Sequence, residues 1–150
     1  MMEILQATIA DAKEILALQK LAYQSEAALY NDYNIPPLKQ TLTEIEADFQ
    51  KSTFLKAVFD GVIIGSVRAY QDQGKCFIGR LIVDSLWQGK GIGTELMRRI
   101  EAIFTSVQSF ELFTGYKSER NIRLYEHLGY SVVRNEGILV FMEKTNIRAT

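Results

Sequence analysis

Leu81-Ile82-Val83-Asp84-Ser85-Leu86-Trp87-Gln88-Gly89-Lys90-Gly91-Ile92-Gly93-Thr94-Glu95-Leu96-Met97 carries an apolar strand through a short glycine-rich turn straight into a helix. The first N–H groups of a helix lack intrahelical acceptors and together carry about half a positive charge, so a turn without bulky Cβ atoms lets a phosphate rest on the backbone. Gly89, Gly91 and Gly93 remove the bulk, and Lys90 adds a cation. Spacing restricts the ligand. A dinucleotide fingerprint, G-x-G-x-x-G, would need glycine at position 94 or 96, where the chain has Thr94 and Leu96. A nucleoside-triphosphate loop needs Ser or Thr after its Gly-Lys, and Lys90 is followed by Gly91. Taken alone, the loop also suits a strand-to-helix connection that holds no ligand.

A second segment, Asn121-Ile122-Arg123-Leu124-Tyr125-Glu126-His127-Leu128-Gly129-Tyr130, reads as a helix that ends at a glycine before an aromatic opens the next strand. Ser118 suits the N-cap, Ile122, Leu124, Tyr125 and Leu128 have helical apolar spacing, and Gly129 suits a left-handed C-cap.

Together the two segments carry a family resemblance. Gln88-Gly89-Lys90-Gly91-Ile92-Gly93 resembles the Q/R-x-x-G-x-G/A signature of the GCN5-related N-acetyltransferase (GNAT) superfamily, and Asn121 to Tyr130 resembles its C-terminal N-x-x-x-L/x-Y-E-x-x-G-F/Y element. The resemblance runs at lower specificity from about Met1 to Lys144. It implies the acyl-coenzyme A N-acyltransferase fold: an α/β (α+β) arrangement whose mixed, largely antiparallel sheet is flanked by helices and splayed between its fourth and fifth strands. It also implies acetyl-coenzyme A as co-substrate. The pyrophosphate would sit on Gln88, Gly89, Lys90, Gly91, Ile92 and Gly93, and the pantetheine arm would pair with main-chain groups of Leu81, Ile82 and Val83 like an added strand.

Composition agrees with a globular chain. Its 150 residues suit one domain spanning 1–150, and a domain of this size buries about 70% of the surface of its unfolded chain. Hydrophobic residues make up 47% and charged residues 23%, and no apolar run approaches the roughly 18 residues of a membrane-spanning helix. A net charge of −1 and a pI of about 5.9 give no basic field for nucleic acid. Met1 to Gln6 shows no basic n-region or cleavage site, and the single cysteine, Cys76, cannot form an internal disulfide. Cytoplasm is the expected compartment, no membrane partner is expected, and assembly as a homodimer stays open. His127 is the only histidine, which excludes a multi-histidine metal site; no metal is expected.

The element order supports the same fold class. A strand at Ile4 to Ala7 precedes a helix from about Ile9 to Ala27 with Ile15, Leu16, Leu18, Leu21 and Ala22 inward. Pro36-Pro37 ends it in an irregular loop, and Thr43-Glu44-Ile45-Glu46 fits a capping box opening a second helix to Gln50. Phe54 to Phe59, Val62 to Tyr70 and Cys76 to Val83 read as strands, the first two joined at Asp60-Gly61. Helix Gly91 to Phe104 turns Ile92, Leu96, Ile100 and Ile103 inward; strand Phe110 to Thr114, helix Ser118 to Leu128 and strands Tyr130 to Val133 and Ile138 to Glu143 follow. Three successive strands without intervening helices disagree with a doubly wound sheet.

Transfer of an acetyl group from a thioester to an amine needs a neutral amine, a polarised carbonyl and an outlet for the thiolate. A lysine-like amine of pKa about 10.4 is neutral only about once in 2,500 molecules at pH 7, while a thiol of pKa about 8.5 leaves readily. A backbone N–H in Leu81 to Val83 would polarise the carbonyl. The resemblance assigns Tyr125 as the acid near the coenzyme sulfur, although an amphipathic helix also needs a core aromatic there. Asn121 would hydrogen-bond the coenzyme or the splayed strand, or satisfy its own helix's first turn. Some relatives place a glutamate shortly before the Leu-x-Val pair, but this chain has Phe77-Ile78-Gly79-Arg80. Glu26, Glu111, Asp84 or a water chain remain for the base. The acceptor region is expected at the end of the first helix and the proline loop, with Glu26, Tyr30, Tyr33 and Thr114 as substrate-binding residues. The expected activity is direct acetyl transfer to a small-molecule or peptide primary amine. A noncatalytic acyl-coenzyme A-binding regulatory module of the same fold is the alternative.

Overall fold

The computed structural model describes residues 1–149. Strand β1 (Glu3–Gln6) leads through a 3₁₀ turn into helix α1 (Ala12–Tyr30), short helix α2 (Pro36–Lys39) and helix α3 (Leu42–Asp48). Strands β2 (Thr53–Phe59), β3 (Val62–Asp72) and β4 (Lys75–Val83) are followed by helix α4 (Ile92–Ile103), strand β5 (Ser109–Gly115), helix α5 (Glu119–His127) and strands β6 (Ser131–Glu136) and β7 (Leu139–Thr145). They form one sheet in the order β1-β2-β3-β4-β5-β7-β6, parallel only between β4 and β5. This is the mixed, largely antiparallel arrangement the sequence implies. No helix among the described residues is long and apolar enough to cross a membrane.

Two tight turns set the register of the central strands. Asp60 and Gly61 have φ values of 52° and 77°, and Gln73 and Gly74 have 50° and 80°, so both hairpins close on two successive left-handed residues, a geometry matched to strand twist. The helices then cover opposite faces. On one side Ile15 and Leu18 of α1 and Ile45 of α3 share a core with Phe54 and Ile63 of the sheet. On the other, Ile92, Leu96, Met97 and Ile100 of α4 are buried against Ala57, Val67 and Ile78, each side chain stabilising the fold by about 1.5–3 kcal/mol relative to exposure. Gly65 permits this approach, because a Cβ there would lie 3.1 Å from the Ile82 carbonyl oxygen and 3.2 Å from Leu96 Cδ1.

Strand β4 creates the site. Its parallel pairing with β5 covers only Lys75 with Ser109, Cys76 with Phe110 and Phe77 with Glu111, after which the strands separate. On its other edge, Ser66 pairs with Ile82 but Arg68 pairs with Gly79, so β4 carries one extra residue and Arg80 takes a left-handed φ of 51°. The extra residue inverts the side-chain alternation. Ile78 joins the α4 core and Ile82 the α1 core, although positions four apart on a regular strand share a face.

Several local expectations shift. Leu21 is 67% exposed and Ile103 46% exposed, so the inward stripes of α1 and α4 are narrower than their apolar residues suggested. Pro36 and Pro37 begin α2 as its first two residues, where the missing N–H groups would have lacked acceptors anyway. The capping box lies two residues earlier than expected: Thr41 Oγ1 accepts the Glu44 N–H at 3.2 Å, and Glu44 accepts the Thr41 N–H at 2.9 Å.

Candidate functional site

The glycine loop builds one wall of a cleft of about 650 Å³ between α1, the end of β4, the start of α4 and α5. Gly89 and Gly91 have φ values of 77° and 83°, and no atom lies within 4 Å of where a Gly91 Cβ would stand. Open space therefore lies over the helix start, where the N–H groups of Ile92, Gly93 and Thr94 have no intrahelical acceptors. Leu81, Ile82, Val83, Gln88, Gly89, Gly91, Ile92, Gly93 and Asn121 all line the cleft; Lys90 is exposed outside it. Gln88 Nε2 donates to the Val83 carbonyl at 3.3 Å, while Gln88 Oε1 accepts from Arg120 Nη1 at 2.6 Å, so the loop is braced to both β4 and α5. An open cradle of backbone donors flanked by guanidinium groups fits a phosphorylated coenzyme.

Three basic residues at this cleft went unrecognised in the sequence. Lys117, in the turn before α5, and Arg120 and Arg123, three residues apart on α5, all line it. Read locally, such residues look like a solvated helix face.

Helix α5 ends in a Schellman motif: the Tyr130 N–H bonds the Tyr125 carbonyl and the Gly129 N–H bonds the Glu126 carbonyl, both at 3.0 Å, with Gly129 at φ 102°. This anchors Tyr125, which is 6% exposed and meets Tyr130 edge-on at 6.1 Å. The Tyr125 hydroxyl has no hydrogen-bond partner among the described residues. Burial, then the nearby Tyr23 and Glu26, push its ionisation well above that of an ordinary tyrosine. It therefore stays protonated across the neutral range, in the state that can donate a hydrogen bond, although neither cleft includes it in its lining. His127, at the exposed last turn, is a dipole-matched helix terminus.

The residues expected at the acceptor region divide. Glu26 borders the first cleft and accepts the Ser118 hydroxyl, which consequently does not cap α5 although Ser118 occupies the N-cap position. The Tyr30 hydroxyl accepts the Lys117 N–H at 2.9 Å, fastening the end of α1 to the turn before α5. Thr114 Oγ1 accepts Asn121 Nδ2 at 3.5 Å. Tyr33 is 53% exposed, and neither cleft includes it. Asp84 is engaged as a cap, its carboxylate accepting the Leu86 N–H at 2.9 Å.

A second cleft of about 410 Å³ begins where the first stops along β4. Gly79 and Arg80 line the second, Leu81 to Val83 the first, and the bulge lies between them. Its polar groups include Asp48 and Arg68, an ion pair at 2.9 Å, and Glu111, whose carboxylate lies 3.8 Å from Lys75 and 3.6 Å from Arg134. Arg68 is buried on a fixed lattice of partners: Gln19 at 2.5 Å, Gln40 at 3.4 Å and the Phe54 ring face at 4.5 Å. Burial, then Arg80, pulls the Arg68 guanidinium down to about 10, against the opposing pull of Asp48. Tyr23 links the clefts. It lines the first, yet its ionisation, raised by burial, is opposed most strongly by Arg80 of the second.

Comparison with known proteins points the same way. The model of the acetyltransferase (GNAT) family matches residues 13–130. N-acetylaspartate synthetase of Homo sapiens is 31% identical over 121 residues, covering 76% of this chain and 40% of that protein. The chain spans 36% to 40% of the length of the curated relatives it matches. Among solved structures, the PaiA N-acetyltransferase of Thermoplasma acidophilum in complex with coenzyme A aligns with a TM-score of 0.75 at 20% identity, covering 97% of this chain and 99% of that one. The ribosomal-protein-S18-alanine N-acetyltransferase of Escherichia coli aligns with a TM-score of 0.79 at 14% identity, covering 97% and 94%.

Proposed function

The chain belongs to the acetyltransferase (GNAT) family, and on that premise we propose that residues 1–150 act as one domain that transfers an acetyl group from acetyl-coenzyme A directly to a primary amine. The observation that carries this reading is the early end of β4–β5 pairing, with a donor-rich cleft on one side of the bulge and a separate polar cleft on the other. The coenzyme supplies the activated acyl group. The glycine loop, Arg120 and Asn121 hold its phosphates and arm, while unpaired backbone along Leu81 to Val83 aligns the thioester. The acceptor enters by the second cleft and meets the thioester at the bulge.

Protons balance simply. The amine loses one as nitrogen attacks the carbonyl and the carbon–sulfur bond breaks; the thiolate gains one. Tyr125, held protonated, stabilises the departing thiolate by donation. Asp48 and Glu111, the carboxylates of the second cleft, are engaged by cations, so the amine is deprotonated by water rather than by either of them. Tyr30 and Thr114 support the site at one remove, through Lys117 and Asn121.

The test is thiol release from acetyl-coenzyme A across a panel of amines, with the acetylated amine identified by mass spectrometry. Stoichiometric thiol and amide are expected. Tight coenzyme binding without turnover on any amine would instead make the protein an acyl-coenzyme A-binding module of the same fold.

A further inference from the structure

Arg80 is the anomaly of the second cleft. It is the residue next to which β4 bulges, and its left-handed φ of 51° is uncommon for a residue with a side chain. Such backbone persists where surrounding structure holds it, and it concentrates at functional sites. Its Nε is buried without a hydrogen-bond partner, and no carboxylate among the described residues pairs with the guanidinium. Yet Arg80 lies close enough to Arg68 for the two charges to oppose each other. A buried guanidinium N–H left unmade is costly, the more so beside a like charge.

The rest of the cleft sharpens the imbalance. Three cations line it, Lys51, Arg68 and Arg80, against two carboxylates, Asp48 and Glu111. Asp48 is committed to Arg68, and Glu111 to Lys75 and Arg134. Lys51 has no ion pair among the described residues; its ammonium lies 4.2 Å above the Tyr70 ring. Two positive charges therefore face the cleft without an anion, and one of them stands at the point where the two clefts meet.

Resting on the acetyltransferase reading, we propose that the second cleft selects acceptor amines bearing a carboxylate, which Arg80 binds through its unpartnered N–H groups, with Lys51 adding charge at the rim. The guanidinium fork matches a carboxylate in two parallel hydrogen bonds, fixing the acceptor's orientation as well as its charge. An acceptor held by its carboxylate at Arg80 presents its amino group beside the bulge, where β4 passes to the thioester side. Exposed Phe113, packed on Phe141 at 5.3 Å, gives the carbon skeleton an apolar surface.

The experiment uses matched acceptors: α-amino acids against their α-amides, and 4-aminobutyrate against butylamine, compared by kcat/KM. The protein should favour the carboxylate partner by about 10- to 100-fold, the range of a charged hydrogen-bonded pair. Arg80→Gln should collapse that ratio toward one, Arg80→Lys should retain part of it, and Lys51→Gln, at an exposed position, should reduce it by a smaller factor. Equal or better use of the neutral partners overturns the proposal, as does a ratio that survives Arg80→Gln in a variant with native circular dichroism. If no amine is acetylated, the enzymatic reading fails and ligand-observed NMR with 4-aminobutyrate decides this one separately. Binding that disappears in Arg80→Gln upholds the anion site, and absence of binding to the parent protein overturns it.

Discussion

A Cβ at Gly115 would occupy the place of the Tyr30 hydroxyl, the group that accepts the Lys117 N–H. The last residue of β5 thus leaves room for the last residue of α1 to grip the turn before α5. Gly115→Ala should force the Tyr30 ring out and cost about 1–3 kcal/mol, while Tyr30→Phe should cost about 1 kcal/mol by losing the hydrogen bond. In urea titrations the double variant should be less destabilised than the sum of the singles. Strict additivity would mean that the two residues do not share this seat.

The loop at Gly91 makes a second expectation. Its φ of 83° costs a β-branched residue more than it costs glycine, and any side chain enters the open space above the N–H groups of α4. Gly91→Val should weaken acetyl-coenzyme A binding by tenfold or more. The folded state should lose only about 1–2 kcal/mol. Calorimetric affinity unchanged in a folded variant would remove the loop from the phosphate site.

Tyr125→Phe separates packing from chemistry. The hydroxyl has no hydrogen-bond partner among the described residues, so the thermal midpoint and coenzyme affinity should barely move, whereas kcat should fall by about 10- to 1,000-fold. Because burial raises the Tyr125 pKa, the parent enzyme should show no loss of kcat from tyrosine ionisation as pH rises to about 10. Full kcat in the variant, with chemistry rate-limiting, would assign the donation to water.

If water deprotonates the acceptor, kcat should climb about tenfold per pH unit and level off at the pKa of the bound amine. Two acceptors whose amines differ by about two pH units should shift that break by a similar amount. A break at the same pH for both would reveal a protein base.

Alkaline pH should destabilise the fold through its buried acids. Burial, then Glu101, pushes the Cys76 thiol up to about 12 from 9.0, and burial together with the Glu101 carboxylate raises Tyr130 further. Both groups stay protonated in the folded state while the unfolded chain releases its protons, so the Cys76 contribution is complete below pH 9 and is lost as pH rises toward 12, and the Tyr130 contribution begins to fall above pH 10.0. The slope should be up to about 1.4 kcal/mol per pH unit for each group. Cys76→Ala should flatten the fall between pH 9 and 12 in denaturant titrations; an unchanged slope would show that the thiol titrates normally.

The parts of this molecule that were legible in its sequence are those governed by near neighbours. Asp60-Gly61 announces its hairpin, Gly129 its Schellman motif, and Gly89 to Gly93 the open helix start, since each depends on conformations that few residues adopt. The capping box slipped because Thr41 and Thr43 each stand three residues before a glutamate, and the local pattern does not choose between them. Lys117, Arg120 and Arg123 escaped because the cleft they face is assembled from α1, β4 and α4, far away in sequence. The bulge was invisible for a related reason. Ile78 and Ile82 keep the period of a regular strand, and only pairing with β3 shows that an extra residue has reversed their faces.

That reversal bears on how the protein can change. A regular strand couples its faces, because inserting or deleting one residue exchanges everything beyond it between core and solvent. Here β4 already contains its insertion, and the two stretches on either side answer to different neighbours: Gly79 and Arg80 to the second cleft, Leu81 to Val83 to the first. Substitution before the bulge can retune one surface while the other keeps its sequence. A deletion at Arg80 would restore regular pairing with Ile78 and Ile82 three positions apart, hence still on opposite faces, keeping both cores while removing the left-handed residue that marks the border between the two clefts.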